Sequence, residues 1–552
     1  MKKIFNKSLI IALAGVALVA TSCKEDYLDT APTDKVESGT ALGTAKNAIY
    51  ALNGIAKTMT TQQAAQSQGF AGENNIMAHY ENYASQDYLY NYYASGWSPI
   101  MNQKYHFQVS SRYNYYAWYY YYTIIGQANA IIVNIDNIEG KQEERDYVKA
   151  SALTFRAYAY EKLLHYYCVR WQDSNNGAAQ GLVLRLDEST GDMPYSTMAE
   201  VYAQIYKDLD DAIALYNSCG ISRAANEVWM PCKNVADAVY ARAALTKQDY
   251  QTALTHATAA KAGFPLMSNN DYANSGFCAP TSEWIFGSYG SAEENNWYWS
   301  YGTQYSCNGY YAEASACGAG AISREVINRI PNNDFRKSLF LTEDKFTNFS
   351  LAEQSPYFKT YAILGIDKTG KEDALWDEVA DYISAHTPKN FESMPAYSAG
   401  YFYLGGHLKF WVTDLPGIGY LPYIRTSEMI LIEAEANYFL KKEDAAQKAL
   451  VELNATSGRN PNYTCSKTGN DLFEEIVDYR TVELWGEGFG FSDFKRWNRT
   501  IVRKSIAQGG NAHAAIAVTI KPEDGNAWTW KVPEIETNYN KALGNDHAEK
   551  AE

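Results

Sequence analysis

The stretch that decides the fold is VADAVYARAALTKQDYQTALTHATAAKAGFP, residues 235–265. Its small residues Ala241, Ala253 and Ala260 and its terminal Pro265 follow one another at intervals of 12, 7 and 5 residues. Small side chains at such intervals let two helices pack closely, and a proline cannot continue the second helix. The stretch therefore predicts a tight pair of antiparallel helices that ends near residue 265.

A second stretch, nearer the C-terminus, repeats this spacing. Ala434 and Ala446 are again 12 residues apart, Leu453 follows after 7, and residues 454–461 interrupt the helical pattern. The spacing is similar to that of a tetratricopeptide repeat, a pair of helices that stacks into arrays. Two good matches and two weaker helical pairs predict an irregular array of about four units. A generic helical bundle with alanine-rich contacts is the alternative.

Apolar periodicity divides the rest of the chain. Residues 41–265 read as helices, because apolar side chains recur every three or four residues. Residues 266–422 are rich in Gly, Asn, Ser, Tyr and Trp, which predicts a long irregular insertion with short strands, such as 284–286, and ligand-binding loops. Residues 423–500 return to a helical repeat, and residues 501–552 form a C-terminal segment. The predicted fold is mainly α.

The first 22 residues have the composition of a secretory signal. Lys2, Lys3 and Lys7 precede an uncharged run that is too short to span a bilayer, and small residues lie directly before Cys23. The segment resembles a bacterial lipobox, which implies that Cys23 becomes the acylated first residue and that residues 23–40 form a tether from the membrane. An ordinary secretory signal is the alternative.

Charge excludes one class of partner. The formal net charge is −15, and loss of the three signal lysines would lower it to −18. An acidic chain repels phosphate backbones, so nucleic-acid binding is not expected.

The cysteines predict neither a disulfide framework nor a zinc site. Seven follow Cys23, an odd number without CxxC spacing. Cys307 and Cys317 could pair locally, but small buried thiols are the favoured interpretation. The sequence leaves open whether disulfides form among Cys168, Cys219, Cys232, Cys278, Cys307, Cys317 and Cys465.

Signatures of catalysis are missing from the sequence. The eight histidines show neither HExxH nor HxH spacing, and no GxSxG motif occurs. The glycine-rich residues 486–490 lack the context of a phosphate-binding loop. Glu483 and Glu487 would share a helix face, where such pairs usually form a solvated surface rather than an acid/base pair. The sequence therefore predicts no catalytic residue, no metal-binding residue and no cofactor, and it leaves open whether calcium is bound.

Two aromatic segments carry the expected ligand-binding residues. Sugar rings present flat C–H faces that stack on Trp and Tyr, and their hydroxyl groups need polar side chains nearby. Residues 80–97 and 297–311 combine both and read as loops. Residues 115–122 lead into a helical pattern and are assigned to packing. Burial in the core is the alternative for each tryptophan. The predicted ligand-binding residues are Tyr88, Trp97, Trp297, Trp299, Tyr301 and Tyr305.

Three motifs follow one another in the C-terminal half: RTSEMILIEAEA at 425–436, YRTVELWGEG at 479–488 and DFKRW at 493–497. Their order is similar to that of the SusD-like (RagB/SusD) family of Bacteroidetes outer-membrane lipoproteins. Two residues depart from the family pattern, since Tyr479 stands in place of a Glu and Gly490 in place of an Arg. These departures put local hydrogen bonds in doubt, but not the fold.

The resemblance implies four tetratricopeptide-like units, no catalysis, and capture of oligosaccharide or polysaccharide for a SusC-like TonB-dependent transporter. Lys24-Glu25-Asp26 resembles the acidic signal that sends such lipoproteins to the cell surface of the outer membrane. No ligand-site residue follows from the resemblance, because the family's binding aromatics lie in variable loops. A peptide- or glycopeptide-binding import lipoprotein of the same fold is the first alternative, and a surface glycosidase is the second.

Overall fold

The computed structural model describes ten ranges of the chain. These ranges are residues 42–61, 70–91, 94–274, 277–289, 306–308, 320–366, 374–392, 401–412, 420–524 and 528–543. Helices dominate them, as the sequence predicts.

The longer helices are numbered α1 to α12 in chain order. They are α1 Ala45–Thr58, α2 Ala94–Met101, α3 Arg112–Asn134, α4 Gln142–Tyr167, α5 Met198–Cys219, α6 Lys233–Thr246, α7 Tyr250–Ala260, α8 Ala374–His386, α9 Thr426–Phe439, α10 Glu443–Val451, α11 Gly469–Glu483 and α12 Gly490–Trp497. Shorter α-helices are Glu73–Asn75, Asn269–Asn274, Arg324–Ile327, Phe349–Gln354, Pro356–Tyr361 and Glu534–Tyr539, and two π-helices are Ile76–Asn82 and Glu452–Thr456.

The strands are short and pair antiparallel, two by two. They are β1 Tyr88–Leu89, β2 Trp284–Gly287, β3 Ala321–Ile322, β4 Ile363–Ile366, β5 Tyr401–Tyr403, β6 Pro422–Arg425, β7 Ile501–Val502 and β8 Thr519–Ile520. The pairs are β1 with β3, β2 with β6, β4 with β5 and β7 with β8. The predicted strand at 284–286 is confirmed as β2, and β6 leads directly into α9.

Local chemistry explains where the long helices begin and end. Thr197 accepts a hydrogen bond from the Glu200 backbone, and the Glu200 side chain accepts one from the Thr197 backbone, so a capping box starts α5. At the other end, Gly220 adopts a left-handed conformation with φ of 64°, which a residue without a side chain adopts most easily. Ser111 caps the start of α3 by accepting from the Tyr113 backbone.

The predicted helical pair at 235–265 is confirmed as α6 and α7. The two helices are joined by residues 247–249, and the Asp249 side chain caps α7 by accepting from the Thr252 backbone at 3.3 Å. Ala253, Ala257 and Ala260 are fully buried, and α7 packs extensively against both α6 and α9. The small residues therefore lie where the helices approach closely, as the spacing predicts.

The second stretch also forms a packed pair of helices, α9 and α10. Ala434, Ala446 and Leu453 are all fully buried, and the helical path continues past α10 as the π-helix Glu452–Thr456. The assignment of both pairs to a tetratricopeptide-like array, and the domain boundaries given above, stay predictions. No described helix combines the length and the hydropathy that a membrane span requires.

Candidate functional site

The carboxylates of the family motifs are buried in an ion-pair network. Arg425 donates from Nη1 to Glu283 and to Glu483, both at 2.7 Å, and from Nε to Glu487 at 2.6 Å. Burial alone would raise the pKa of Glu483, but the guanidinium groups of Arg459 and Arg425 outweigh it and hold this pKa well below its usual range. The prediction that Glu483 and Glu487 form a solvated face is therefore wrong. Both are structural residues.

The two departures from the family pattern also lie in packed positions. Tyr479 is buried with its ring edge-on to Tyr463 at 5.0 Å. A Cβ atom on Gly490 would lie 2.4 Å from Cβ of Ser85, so the start of α12 has no room for a larger residue. Arg480 donates to Asp493 at 2.6 Å and joins the last two motifs.

Trp97 is the one predicted tryptophan that the described residues include, and it lies on α2. Its ring is half-buried. Tyr83 and Tyr90 meet it edge-on, with ring centroids 5.8 and 6.4 Å away, and His79 lies 5.1 Å away at a tilt. Three aromatic neighbours therefore hold the Trp97 ring in place while part of it stays accessible.

Further rings extend this aromatic surface. The buried ring of His79 lies 6.0 Å from Tyr113, which stacks on Tyr105 with centroids 6.0 Å apart. Tyr105 is 38% exposed. We call Trp97, Tyr105 and Tyr113 the Trp97 face. Sequence reasoning missed the two tyrosines because they lie between the predicted segments, and only the packing around His79 brings them together.

Tyr88 lies in the core, contrary to its selection as a surface ligand residue. It is 1% exposed, and its ring stacks on Trp485 at 5.1 Å and on Tyr83 at 5.6 Å. Residue 88 belongs to β1, where pairing with Ile322 of β3 fixes its position. The segment 80–97 is a loop only in part, because the π-helix extends to residue 82, β1 covers residues 88–89 and α2 begins at residue 94. Trp297, Trp299, Tyr301, Tyr305 and Cys23 lie outside the described residues.

A second group of aromatic side chains lines a cleft along α3. Tyr115, Trp118, Tyr119 and Tyr122 are three or four residues apart, so they share one face of the helix. The cleft encloses about 640 Å³, which lies within the range of cavities that hold small ligands. Trp118 is almost wholly buried, and the other three rings are half-buried. We call this cavity the α3 cleft.

One wall of the α3 cleft is the C-terminal helix Glu534–Tyr539. The Trp118 indole Nε1 donates to Oε2 of Glu536 at 3.2 Å, which ties this wall to α3. Ile535 and Tyr539 line the cleft with exposed fractions of 40% and 80%, which are high for large apolar side chains. This wall therefore presents accessible apolar surface beside a carboxylate.

The opposite wall is formed by residues 185–190. The Asn129 side-chain amide donates to the backbone carbonyls of Arg185 and Asp187, both at 3.0 Å, and its oxygen accepts from Nη1 of Arg156 at 2.9 Å. Arg156 is itself buried, so this wall is fixed to the interior through a continuous set of hydrogen bonds. The wall adds backbone and side-chain polar groups to the aromatic floor.

The assignment of residues 115–122 to packing is therefore correct only in part. Tyr116, Tyr120 and Tyr121 are fully buried, whereas Tyr115 and Tyr119 face the cleft. A helix buries one face, so half of such an aromatic run must point elsewhere. The sequence carries this signal, but the two walls that make a cavity come from far along the chain.

Metal and disulfide chemistry finds no support in the described ranges. They contain no group of three or more His, Cys, Asp or Glu side chains that could hold a metal ion. Burial raises the pKa of the Cys168 thiol to about 12, as for an inert packed cysteine. Cys317 lies outside the described residues. The described cysteines are all free thiols: Cys168, Cys219, Cys232, Cys278, Cys307 and Cys465.

Several solved structures from Bacteroides share this fold. A SusD-like carbohydrate binding protein from Bacteroides vulgatus ATCC 8482 is similar at 20% identity and a TM-score of 0.68, over 92% of this chain and 98% of that one. A SusD superfamily protein from Bacteroides thetaiotaomicron VPI-5482 gives 22% identity and a TM-score of 0.65, over 91% and 99%. A SusD-like protein from Bacteroides fragilis NCTC 9343 gives 15% and 0.62, over 93% and 99%. No curated protein matches the sequence significantly.

Family models match nearly the whole chain. Residues 26–245 match a SusD-like family described as starch-binding and associating with the outer membrane. Residues 247–550, more than half of the chain, match the SusD family. The fold similarity and the order of the motifs agree with both matches, and the protein belongs to the SusD family.

Proposed function

We propose that this protein is a cell-surface glycan-binding lipoprotein that captures oligosaccharide or polysaccharide and delivers it to a SusC-like TonB-dependent transporter. Membership of the SusD family supports a glycan-binding role in general. Anchoring through acylated Cys23 at the outer membrane and delivery to a transporter are the finer parts of the proposal. They rest on the lipobox-like sequence and on the family resemblance.

The single observation that carries the proposal is the fixed, half-accessible ring of Trp97. A sugar ring binds an aromatic side chain by laying its C–H face on the ring, so a platform that is already immobile loses little entropy on binding. Tyr83 and Tyr90 meet the Trp97 ring edge-on, and His79 packs against it. Trp297, Trp299, Tyr301 and Tyr305 are proposed to complete this site.

Binding without catalysis is the second element of the proposal. A glycosidase needs two carboxyl groups that flank a bound sugar. Glu483 and Glu487 are the acidic pair considered in the sequence analysis. Both are buried and form ion pairs with Arg425. These carboxylates therefore support the fold and are not available to a substrate.

The test uses the soluble chain that starts after Cys23. It would be applied to a glycan array, and hits would be measured by isothermal titration calorimetry with the Trp97→Ala variant beside the parent. Tyr357→Ala, at a site 51% exposed on the helix Pro356–Tyr361, is the matched control for loss of an accessible aromatic ring. We expect Trp97→Ala to weaken glycan binding and the control to leave it unchanged. Binding of peptides but of no glycan would favour the peptide-binding alternative.

A further inference from the structure

The α3 cleft lies on the side of its helix opposite to the Trp97 face. Residues advance by about 100° around an α-helix, so Tyr122, nine positions after Tyr113, points about 180° away from it. Tyr113 packs toward His79, whereas Tyr122 lines the cleft. A ligand in the cleft would therefore be separate from one held by Trp97.

We propose that the α3 cleft is a second carbohydrate-binding site, which accepts a short oligosaccharide without acidic groups. The inference rests on the proposed function in that it assumes a glycan ligand, but it concerns different residues. It adds a second, charge-selective site to the one around Trp97.

The aromatic floor provides the stacking surface. The half-buried rings of Tyr115 and Tyr119 lie one turn apart with centroids 5.7 Å from each other, and the half-buried ring of Tyr122 packs on the buried Trp118 at 4.8 Å. Gly126 continues the same face, and a Cβ atom there would meet nothing within 4 Å, so the floor has open space beside the rings. Adjacent aromatic rings with open space beside them suit a chain of sugar rings.

The walls favour hydroxyl groups and disfavour acids. Among the described lining residues, Asp187, Glu188 and Glu536 contribute carboxylates, and Arg185 contributes a guanidinium group. Arg185 already donates from Nη1 to the carbonyl of Gly191 at 3.0 Å. Carboxylates accept hydrogen bonds from sugar hydroxyls, whereas the excess negative charge repels uronate or sulfate groups.

Asp187 of the wall and Tyr122 of the floor are each held by hydrogen bonds within the protein. The pKa of Asp187 is lowered by hydrogen bonds from the side chain and the backbone of Ser189, which favour its carboxylate form. Burial raises the pKa of Tyr122 well above its usual value, and the hydroxyl donates to the carbonyl of Val183 at 2.8 Å. The cleft is therefore pre-organised before a ligand arrives.

Shape favours a glycan over a protein partner. Stable protein interfaces are broad surfaces of about 800 Å² on each partner, whereas the α3 cleft is a concave cavity between a helix, a loop and the C-terminal helix. A short oligosaccharide can fill such a cavity. A protein surface would need a protruding segment to do so.

The decisive variant is Gly126→Leu, which places a side chain in the open space of the cleft, where a Cβ atom touches no neighbour. Gly54→Leu is the matched control, because Gly54 is also exposed and helical, and a Cβ atom there would likewise meet nothing within 4 Å. Calorimetry with a neutral oligosaccharide would give the stoichiometry. We expect two sites in the parent and in Gly54→Leu, and loss of the cleft site in Gly126→Leu. In Trp97→Ala the affinity of the Trp97 site should fall while that of the cleft site stays unchanged.

A second experiment tests the charge selectivity of the α3 cleft. The same oligosaccharide bearing uronate or sulfate groups should bind the cleft at least about tenfold more weakly in the Trp97→Ala background. The double change Asp187→Asn and Glu188→Gln should recover much of that loss. Equal affinity for neutral and acidic forms would overturn the selectivity.

Three results of these binding measurements distinguish failure of the second site from failure of the proposed function. If the parent binds glycan, Trp97→Ala abolishes all binding and Gly126→Leu changes nothing, the second site is wrong and the proposed function stands. If no glycan binds the parent, the proposed function fails. If Gly126→Leu keeps both glycan sites but loses association with transporter-containing membranes, the cleft is a protein surface and the inference is overturned.

Discussion

Arg242 and Glu428, 186 residues apart in the sequence, meet in a buried two-point ion pair. Nε and Nη2 of Arg242 donate to the two oxygens of Glu428 at 2.6 and 2.7 Å. Arg242 lies on α6 and Glu428 on α9, so the pair joins the two helical hairpins that the alanine spacing predicts. It also joins the regions matched by the two family models.

Breaking this pair from one side should destabilise the protein strongly. In Glu428→Gln the buried guanidinium of Arg242 loses the carboxylate that it pairs with, so we expect a loss of about 3–5 kcal/mol in the free energy of unfolding. Asp211→Asn removes the partner of Lys207 from an exposed pair on α5 and should cost less than about 1 kcal/mol. Urea denaturation measures both. Similar losses in the two variants would contradict the structural role given to Glu428.

Overpacking the α6–α7 contact should also be costly. Ala253→Leu adds a branched side chain at a fully buried position, and we expect a loss of about 1–3 kcal/mol. The same change at exposed Gln251, two residues away on α7, should cost under about 0.5 kcal/mol. Equal melting temperatures for the two leucine variants would count against the close helix contact.

Two aromatic residues selected from the sequence should behave in opposite ways. Trp97→Ala should weaken glycan binding by roughly 1–2 kcal/mol with little change in Tm, because part of its ring is accessible. Tyr88→Ala leaves a cavity beside Trp485 and should cost about 3–5 kcal/mol of stability, which lowers Tm by several degrees. Thermal melts and calorimetry together separate the two. A Tyr88→Ala protein that melts normally would show that its burial has been overstated.

The buried amine of Lys495 should make stability depend on pH. Burial lowers the pKa of Lys495 to about 7, while the unfolded side chain keeps a value of about 10.4. Between these values the unfolded chain binds more protons, so the free energy of unfolding should rise with pH, by at most about 1.4 kcal/mol per pH unit. Denaturation from about pH 7 to about pH 10 checks this. Lys495→Met should lose this contribution to the slope, and Lys448→Met, at an exposed site on α10, should keep it.

Loss of the lipid attachment site should release the protein from the membrane. Cys23→Ala removes the residue that the lipobox-like sequence marks for acylation, so we expect the variant in the soluble fraction with an unchanged melting temperature. Cell fractionation and detergent extraction provide the measurement. A variant that still needs detergent for release would contradict the lipoprotein assignment.

Local spacing predicts the helical pairs well because it reflects contacts between neighbours in sequence. Ala253 and Ala434 are fully buried, as the spacing within each helical pair predicts. The surface placement of Tyr88 is wrong because its ring is buried by Trp485, almost 400 residues later, and no local pattern records that partner. The prediction of a solvated face for Glu483 and Glu487 is wrong for the same reason, since their partner Arg425 belongs to another element.

The α3 cleft needs walls from residues 185–190 and Glu534–Tyr539, which the sequence of α3 does not reveal.

The network around Arg425 also sets the order in which the chain can finish folding. Arg425 and Arg459 both contact Glu283, and both need Glu483 to balance their charge. A partly synthesised chain in which residue 483 is not yet present would have to bury two guanidinium groups against one carboxylate. Such burial is strongly unfavourable, and contacts between distant residues also form slowly. We therefore expect this part of the interior to pack only once residue 483 is available, and an incomplete chain to expose apolar surface until then.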